Sequence, residues 1–188
     1  MTSLARQRQR RSCRGFSLVE VMISMVILAV GLLAMLALFG QAVATTQWAQ
    51  EDQIAKQKSR EALESVYSAR NDASINFNSI QNVANGGIFK DGFQQMFRAG
   101  ANGVVGTTSD SATLDFVRQP GPDGLMNTGD DLVVPLSNYR RQIQITPVLN
   151  PDGTVNPDMR KISVTVQVNT PGRGIRNYTV SGYISRFQ

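Results

Sequence analysis

The 188-residue chain has no histidine and one cysteine, Cys13, so its candidate chemistry falls to carboxylates and hydroxyls. No Ser/His/Asp or Cys/His set and no histidine-ligated zinc site can be built from it. Two groups of carboxylates stand out by their surroundings. Glu20 heads the only long apolar run, at the end of Gly15-Phe16-Ser17-Leu18-Val19-Glu20. Farther on, Asp123, Asn127, Asp130 and Asp131 put four oxygen-bearing side chains within nine residues, with Gly124 and Gly129 letting the chain curl.

A charge at the start of a membrane-length apolar segment is costly and is usually paired or functional. Near a helix N-terminus a carboxylate gains on the order of a few tenths of a kcal/mol from the macrodipole, and it can snorkel to the headgroups. That explains why Glu20 is tolerated. It does not explain why Gly-Phe-Ser-Leu-Val stands in front of it.

Residues 120–131 form an acidic loop rich in Pro, Gly, Asp and Asn. Calcium takes roughly six to eight oxygens, some of them backbone carbonyls, so a calcium site at Asp123, Asn127, Asp130 and Asp131 is physically open. The same residue types make an ordinary hydrophilic turn. The spacing is not that of an EF-hand, which needs a glutamate at its twelfth position.

The element that positions Glu20 is the run from Val21 to Phe39, nineteen residues in which only Ser24 and Gly31 are neither hydrocarbon nor sulfur-bearing. At about 1.5 Å per residue it spans roughly 28 Å, close to the hydrocarbon thickness of a bilayer. Arg6, Arg8, Arg10, Arg11 and Arg14 precede it, and the first fifteen residues hold no acid. By the positive-inside rule the N-terminus stays cytoplasmic and the chain after the span is exported.

Gly15, Phe16, Glu20, the basic leader and the apolar run together resemble the class III signal of type IV prepilins and type II secretion pseudopilins. The resemblance covers about residues 15–47. It implies cleavage of the leader, residues 1–15, between Gly15 and Phe16 by a prepilin peptidase, and N-methylation of Phe16. It also implies that Glu20 neutralises the N-terminal amine of a neighbouring subunit during assembly. Gly31-Leu32-Leu33 within the span and Ala37-Leu38-Phe39-Gly40-Gln41 after it look most similar to PilV-type minor pilins. The run Asp123 to Asp131 looks like calcium loops of some exported proteins, pseudopilins included.

Of nineteen Lys and Arg, five lie in the leader, which leaves fourteen against fourteen acids. The basic balance is therefore a topogenic signal, and no nucleic-acid partner is expected. Cys13 also lies in the leader, so the exported part has no disulfide and must close its C-terminal region by other means.

Downstream, 41–70 lacks Pro and Gly, and Ala55, Ala62, Leu63, Val66, Tyr67 and Ala69 form an apolar stripe at helical spacing. One helix over 16–70 is expected, its first half spanning the membrane at about 21–39. Gly31 is a candidate for local unwinding, and Trp48 either anchors at the interface or packs under the exported domain. A variable loop region over 71–111 is expected to contain a short helix at 90–99.

Residues 112–188 read as an antiparallel sheet domain. Its strands are expected at Ala112–Arg118, at Leu132–Leu136, through Tyr139 to Ile145, through Ile162 to Val168, and from Tyr178 to the C-terminus. Turns at 150–153 and 171–174 make the last three a meander. The fold class is α+β, a long N-terminal helix packed against a small antiparallel sheet.

The expected function is non-catalytic: a minor pilin held in the bacterial inner membrane and then lifted into a pilus or its initiating tip complex. Its partners would be prepilin peptidase, other pilins or pseudopilins, and membrane lipid. A type II secretion pseudopilin is the same-class alternative. A membrane-anchored exported adhesin or enzyme is the different-class one.

Overall fold

The computed structural model describes residues 15–72 and 75–187. The basic leader, with its five arginines and Cys13, lies outside the described residues. The chain divides into two units, Met1–Thr46 and Gln47–Gln188.

A single helix, α1, runs Leu18–Asn71. In the first unit every described residue up to Val43 is exposed. Helical hydrogen bonding satisfies the backbone there, the one solution besides a closed barrel that apolar surroundings allow. The few hydroxyls follow suit. Ser24, Thr45 and Thr46 each donate to the carbonyl four residues back, at 2.7, 2.7 and 3.0 Å. α1 passes through Gly31 and Gly40 without a break.

In the second unit α1 becomes one-sided. Ala55, Lys58, Ser59, Ala62, Leu63, Val66 and Ala69 are buried at steps of three and four, the period of one helix face. They meet a four-stranded antiparallel sheet ordered β1-β4-β5-β6, with β1 Gln94–Gln95, β4 Tyr139–Leu149, β5 Val155–Thr170 and β6 Gly174–Ser185.

β5 carries the alternation to completion. Ile162, Val164, Val166 and Val168 are fully buried, while Ser163, Thr165 and Gln167 pair across the outer face with Ser181, Thr179 and Asn177. Each buried Val or Ile contributes about 1.5–3 kcal/mol by leaving water, so these four alone offset much chain entropy. Ile162 and Val164 belong to the main cluster, with Leu63, Val66, Ile80, Phe89, Ile143, Ile145 and Ile184 among its other members. A second cluster gathers Ala55, Met96, Leu136, Tyr139, Val166 and Val168.

The α+β layout and the meander are as the residue pattern requires; the meander strands run longer than expected, from 139 to 149, 155 to 170 and 174 to 185, and two further differences precede them. No helix forms at 90–99: Gly92 takes a positive φ of 72°, and Gln94–Gln95 pair with Arg140 and Arg141 of β4 as β1. Extended pairing to the sheet edge there satisfies backbone groups that an isolated helical turn would leave open.

The strand expected at Ala112–Arg118 starts later, as β2 Phe116–Gln119. Leu114 makes only a single bridge to Phe97, because Asp115 turns its carboxylate to Lys58 of α1. β2 pairs with β3 Leu132–Pro135 as a separate two-stranded hairpin, and the acidic loop 120–131 is its connection. Trp48 lies beneath the guanidinium of Arg173, 5.2 Å from ring centroid to Cζ, a packing contact within the second unit.

Candidate functional site

Gly15, Phe16 and Ser17 form a non-helical lead-in to α1. Ser17 accepts the first helical hydrogen bonds through its carbonyl, from the N–H groups of Glu20 (3.0 Å) and Val21 (3.2 Å). It therefore stands at the helix N-cap, with Glu20 in the first turn. A carboxylate there faces the positive end of the helix dipole.

Phe16 is 81% exposed, and among the described residues a Cβ added at Gly15 would meet nothing within 4 Å beyond its chain neighbours. Beyond Glu20, α1 is long and apolar enough to cross a membrane, and none of that window is buried against the protein.

A family model described as the prokaryotic N-terminal methylation motif matches residues 10–36. The match supports a type IV pilin-like N-terminus. In that motif Gly15, Phe16 and Glu20 fall at the junction of leader and helix, and the match takes in most of the membrane-length run. The methylation motif ends at residue 36, so the sheet domain stands outside it. Neither the curated proteins nor the solved structures give a match.

The acidic loop is held by its own side chains. Asp131, whose side chain is 2% exposed, accepts the N–H of Asn127 at 2.8 Å. Asn127 is the one described non-glycine residue with positive φ, 66°, a conformation Asn adopts more readily than most. Asp123 accepts the N–H of Leu125 at 2.8 Å, and Asp130 accepts the hydroxyl of Thr128 at 2.7 Å. The Thr128 hydroxyl holds the Asp130 carboxyl below its usual range. Gly121 packs so closely on Asp130 that a Cβ there would overlap it. Among the described residues no group of three or more His, Cys, Asp or Glu side chains is placed to hold a metal ion.

The second unit, which has no cysteine, fastens itself with arginines. Arg70, in the last turn of α1, donates to the carbonyls of Ser185 (2.8 Å) and Phe187 (2.6 Å). Arg186 pairs with Asp158 at 3.2 Å and donates to Asn78 at 2.9 Å. At the other end of the sheet Arg176 reaches Asp52 and Glu51 of α1, and Glu51 also receives the hydroxyl of Thr170. Farther in, Arg141 is buried beside Asp110 at 3.9 Å. Desolvation pulls its guanidinium down from the ordinary value, with Asp110 opposing. These partners lie more than a hundred residues apart in several cases, so no local spacing announces them.

Proposed function

We propose that this chain is a non-catalytic minor pilin, made as a prepilin, held in the inner membrane with its N-terminus in the cytoplasm, and then drawn into a pilus or its initiating tip complex. The observation that carries the reading is one continuous arrangement: an exposed Phe16 after Gly15, a carboxylate at Glu20 in the first helical turn, and an exposed apolar surface behind it. Prepilin peptidase would cut after Gly15 and Phe16 would be N-methylated.

The exposed apolar surface suits lipid before assembly and the helices of sister subunits after it. Glu20 supplies the register. An unpaired carboxylate in apolar surroundings costs several kcal/mol, and the N-terminal amine of a neighbour relieves that cost at one axial position only. The pilin-like motif fits a structural protein, and the arginine-fastened sheet domain supplies a rigid exported head.

Intact-mass and N-terminal analysis of the protein from membranes with and without prepilin peptidase tests the reading. A mature chain starting at methylated Phe16 only when the enzyme is present is the expected result. A chain still starting at Met1 in its presence overturns it. Co-purification with pili then separates a pilus subunit from a secretion pseudopilin, whose deletion would instead abolish protein secretion.

A further inference from the structure

Two surfaces of the second unit are unlike the rest of it. The first is the β2–β3 hairpin, where Leu125 (62%), Met126, Leu132 and Val133 stand exposed beside the solvent-facing Asp123 and Asp130. Its three carboxylates, counting Asp131, are answered by one nearby cation, Arg118. Large side chains exposed together on so small an element mark a contact surface more often than a solvated one.

The second is a groove of about 520 Å³ with Pro147, Val155, Pro157 and Met159 in its lining. It opens where β4 and β5 lose register, between Pro147 and Val148. Arg160 and Arg186 stand at its side, both stacked on Phe77 at 4.7 and 5.5 Å; Arg186 pairs with Asp158 and donates to Asn78, and Arg160 donates to the carbonyl of Ile80. The two guanidiniums are held in fixed positions, with a surplus of positive charge.

The hairpin leads directly into the start of β4, and the groove lies at the end of β4. Eleven residues of strand separate them by roughly 35 Å. One surface is apolar and acidic, the other apolar and basic, and they face different ends of the same unit. We propose that the hairpin of one copy docks in the groove of a second copy of this chain, Leu125 and Met126 entering beside Met159 and Asp123 and Asp130 meeting Arg160 and Arg186. The contact is heterologous: each copy offers its hairpin ahead and its groove behind, so it propagates along a row instead of closing on a pair.

The proposal rests on the filament-subunit reading only for placing copies in one membrane. It is tested on the full chain in membranes, with Cys13→Ser as background so that introduced thiols are the only ones. Two differently tagged copies carry Met126→Cys and Met159→Cys and are mildly oxidised. A disulfide joining the two tags is expected at least fivefold above the yield of Met126→Cys with Thr165→Cys, which sits on the outer sheet face. Asp123→Lys with Asp130→Lys should reduce it about fivefold. Leu125→Ser should do the same, and it leaves intact the loop's hydrogen bonds, which use only that residue's backbone. Yield no higher than the outer-face control, bridging only between two Met126→Cys copies, or capture of a different protein alone would overturn the proposal. Correct processing at Gly15 alongside any of these would leave the filament-subunit reading standing.

Discussion

Lys58 of α1 places its ammonium 2.8 Å from Asp115 and 2.9 Å from Glu61. Asp115 also receives the N–H of Leu136 on its carbonyl and donates its own N–H to Met96. One ion pair thus ties the helix to the place where β1, β2 and the residue following β3 converge. Burial by itself would lower the Lys58 pKa, but hydrogen bonds and charge from the two carboxylates win, and it is raised.

Replacing Lys58 with Met should leave Asp115 nearly buried without its cation. Removing one member of such a pair costs about 3 kcal/mol, measurable by denaturant titration at pH 7. The pH dependence has a definite sign. A lysine whose folded pKa lies above its unfolded value stabilises fully below about 10.5 and loses that contribution as pH rises through the folded value. The gap between wild type and Lys58→Met should hold up to pH 10 and narrow only above it.

Gly182 of β6 lies against the phenol of Tyr67 and a methyl of Leu63, so closely that a Cβ would overlap the Tyr67 hydroxyl. Gly182→Ala should lower stability by about 1–3 kcal/mol through overpacking. Adding Tyr67→Phe removes the overlapping oxygen, so the double variant should recover part of the loss. A thermal melt of the four members of that cycle reads the coupling directly.

The apolar first part of α1 was legible because length and apolarity can be read off consecutive residues. β5 was legible for a similar reason, since strict alternation at Ile162, Val164, Val166 and Val168 encodes a half-buried strand without reference to its neighbours. Residues 90–119 were not. Their backbone is held by partners far along the chain, β4 for Gln94 and Gln95 and Lys58 for Asp115, so local alternation overextended β2 and local composition suggested a helix. The arginine fasteners that stand in for a disulfide were equally hidden, because Arg70 meets Ser185 and Arg176 meets Glu51 only after folding. At the acidic loop the sequence offered oxygens without their orientation; folding turns Asp123, Asp130 and Asp131 onto the loop's own N–H and hydroxyl groups.

That internal bonding separates two roles for the loop. Asp131→Ala should cost about 1.5–3 kcal/mol, the worth of a charge-assisted hydrogen bond, because it frees Asn127 from its left-handed conformation and unpairs Arg118. The loop should keep its fold in chelator, since none of these bonds uses a cation. Calcium bound by Asp123, Asn127, Asp130 and Asp131 would add stability by mass action. Melting in millimolar calcium and again after chelator measures that increment, and a shared midpoint assigns the carboxylates to loop structure alone.

Glu20 gives the sharpest separation between anchoring and assembly. Its side chain makes no contact that holds the described fold, and the run behind it is long and apolar enough to cross a membrane with or without that charge. Glu20→Ala should therefore be inserted, cleaved after Gly15 and recovered in membranes to the wild-type extent. Incorporation into filaments should fall at least tenfold, because the neighbour's amine then enters apolar surroundings with no carboxylate to meet it, which costs several kcal/mol. Glu20→Gln keeps the shape and a hydrogen-bonding oxygen without the charge, so it should fail nearly as badly if ion pairing sets the register. Quantifying each variant in sheared filaments against the membrane pool checks this, and incorporation of Glu20→Ala at the wild-type level would remove the amine pairing from the mechanism.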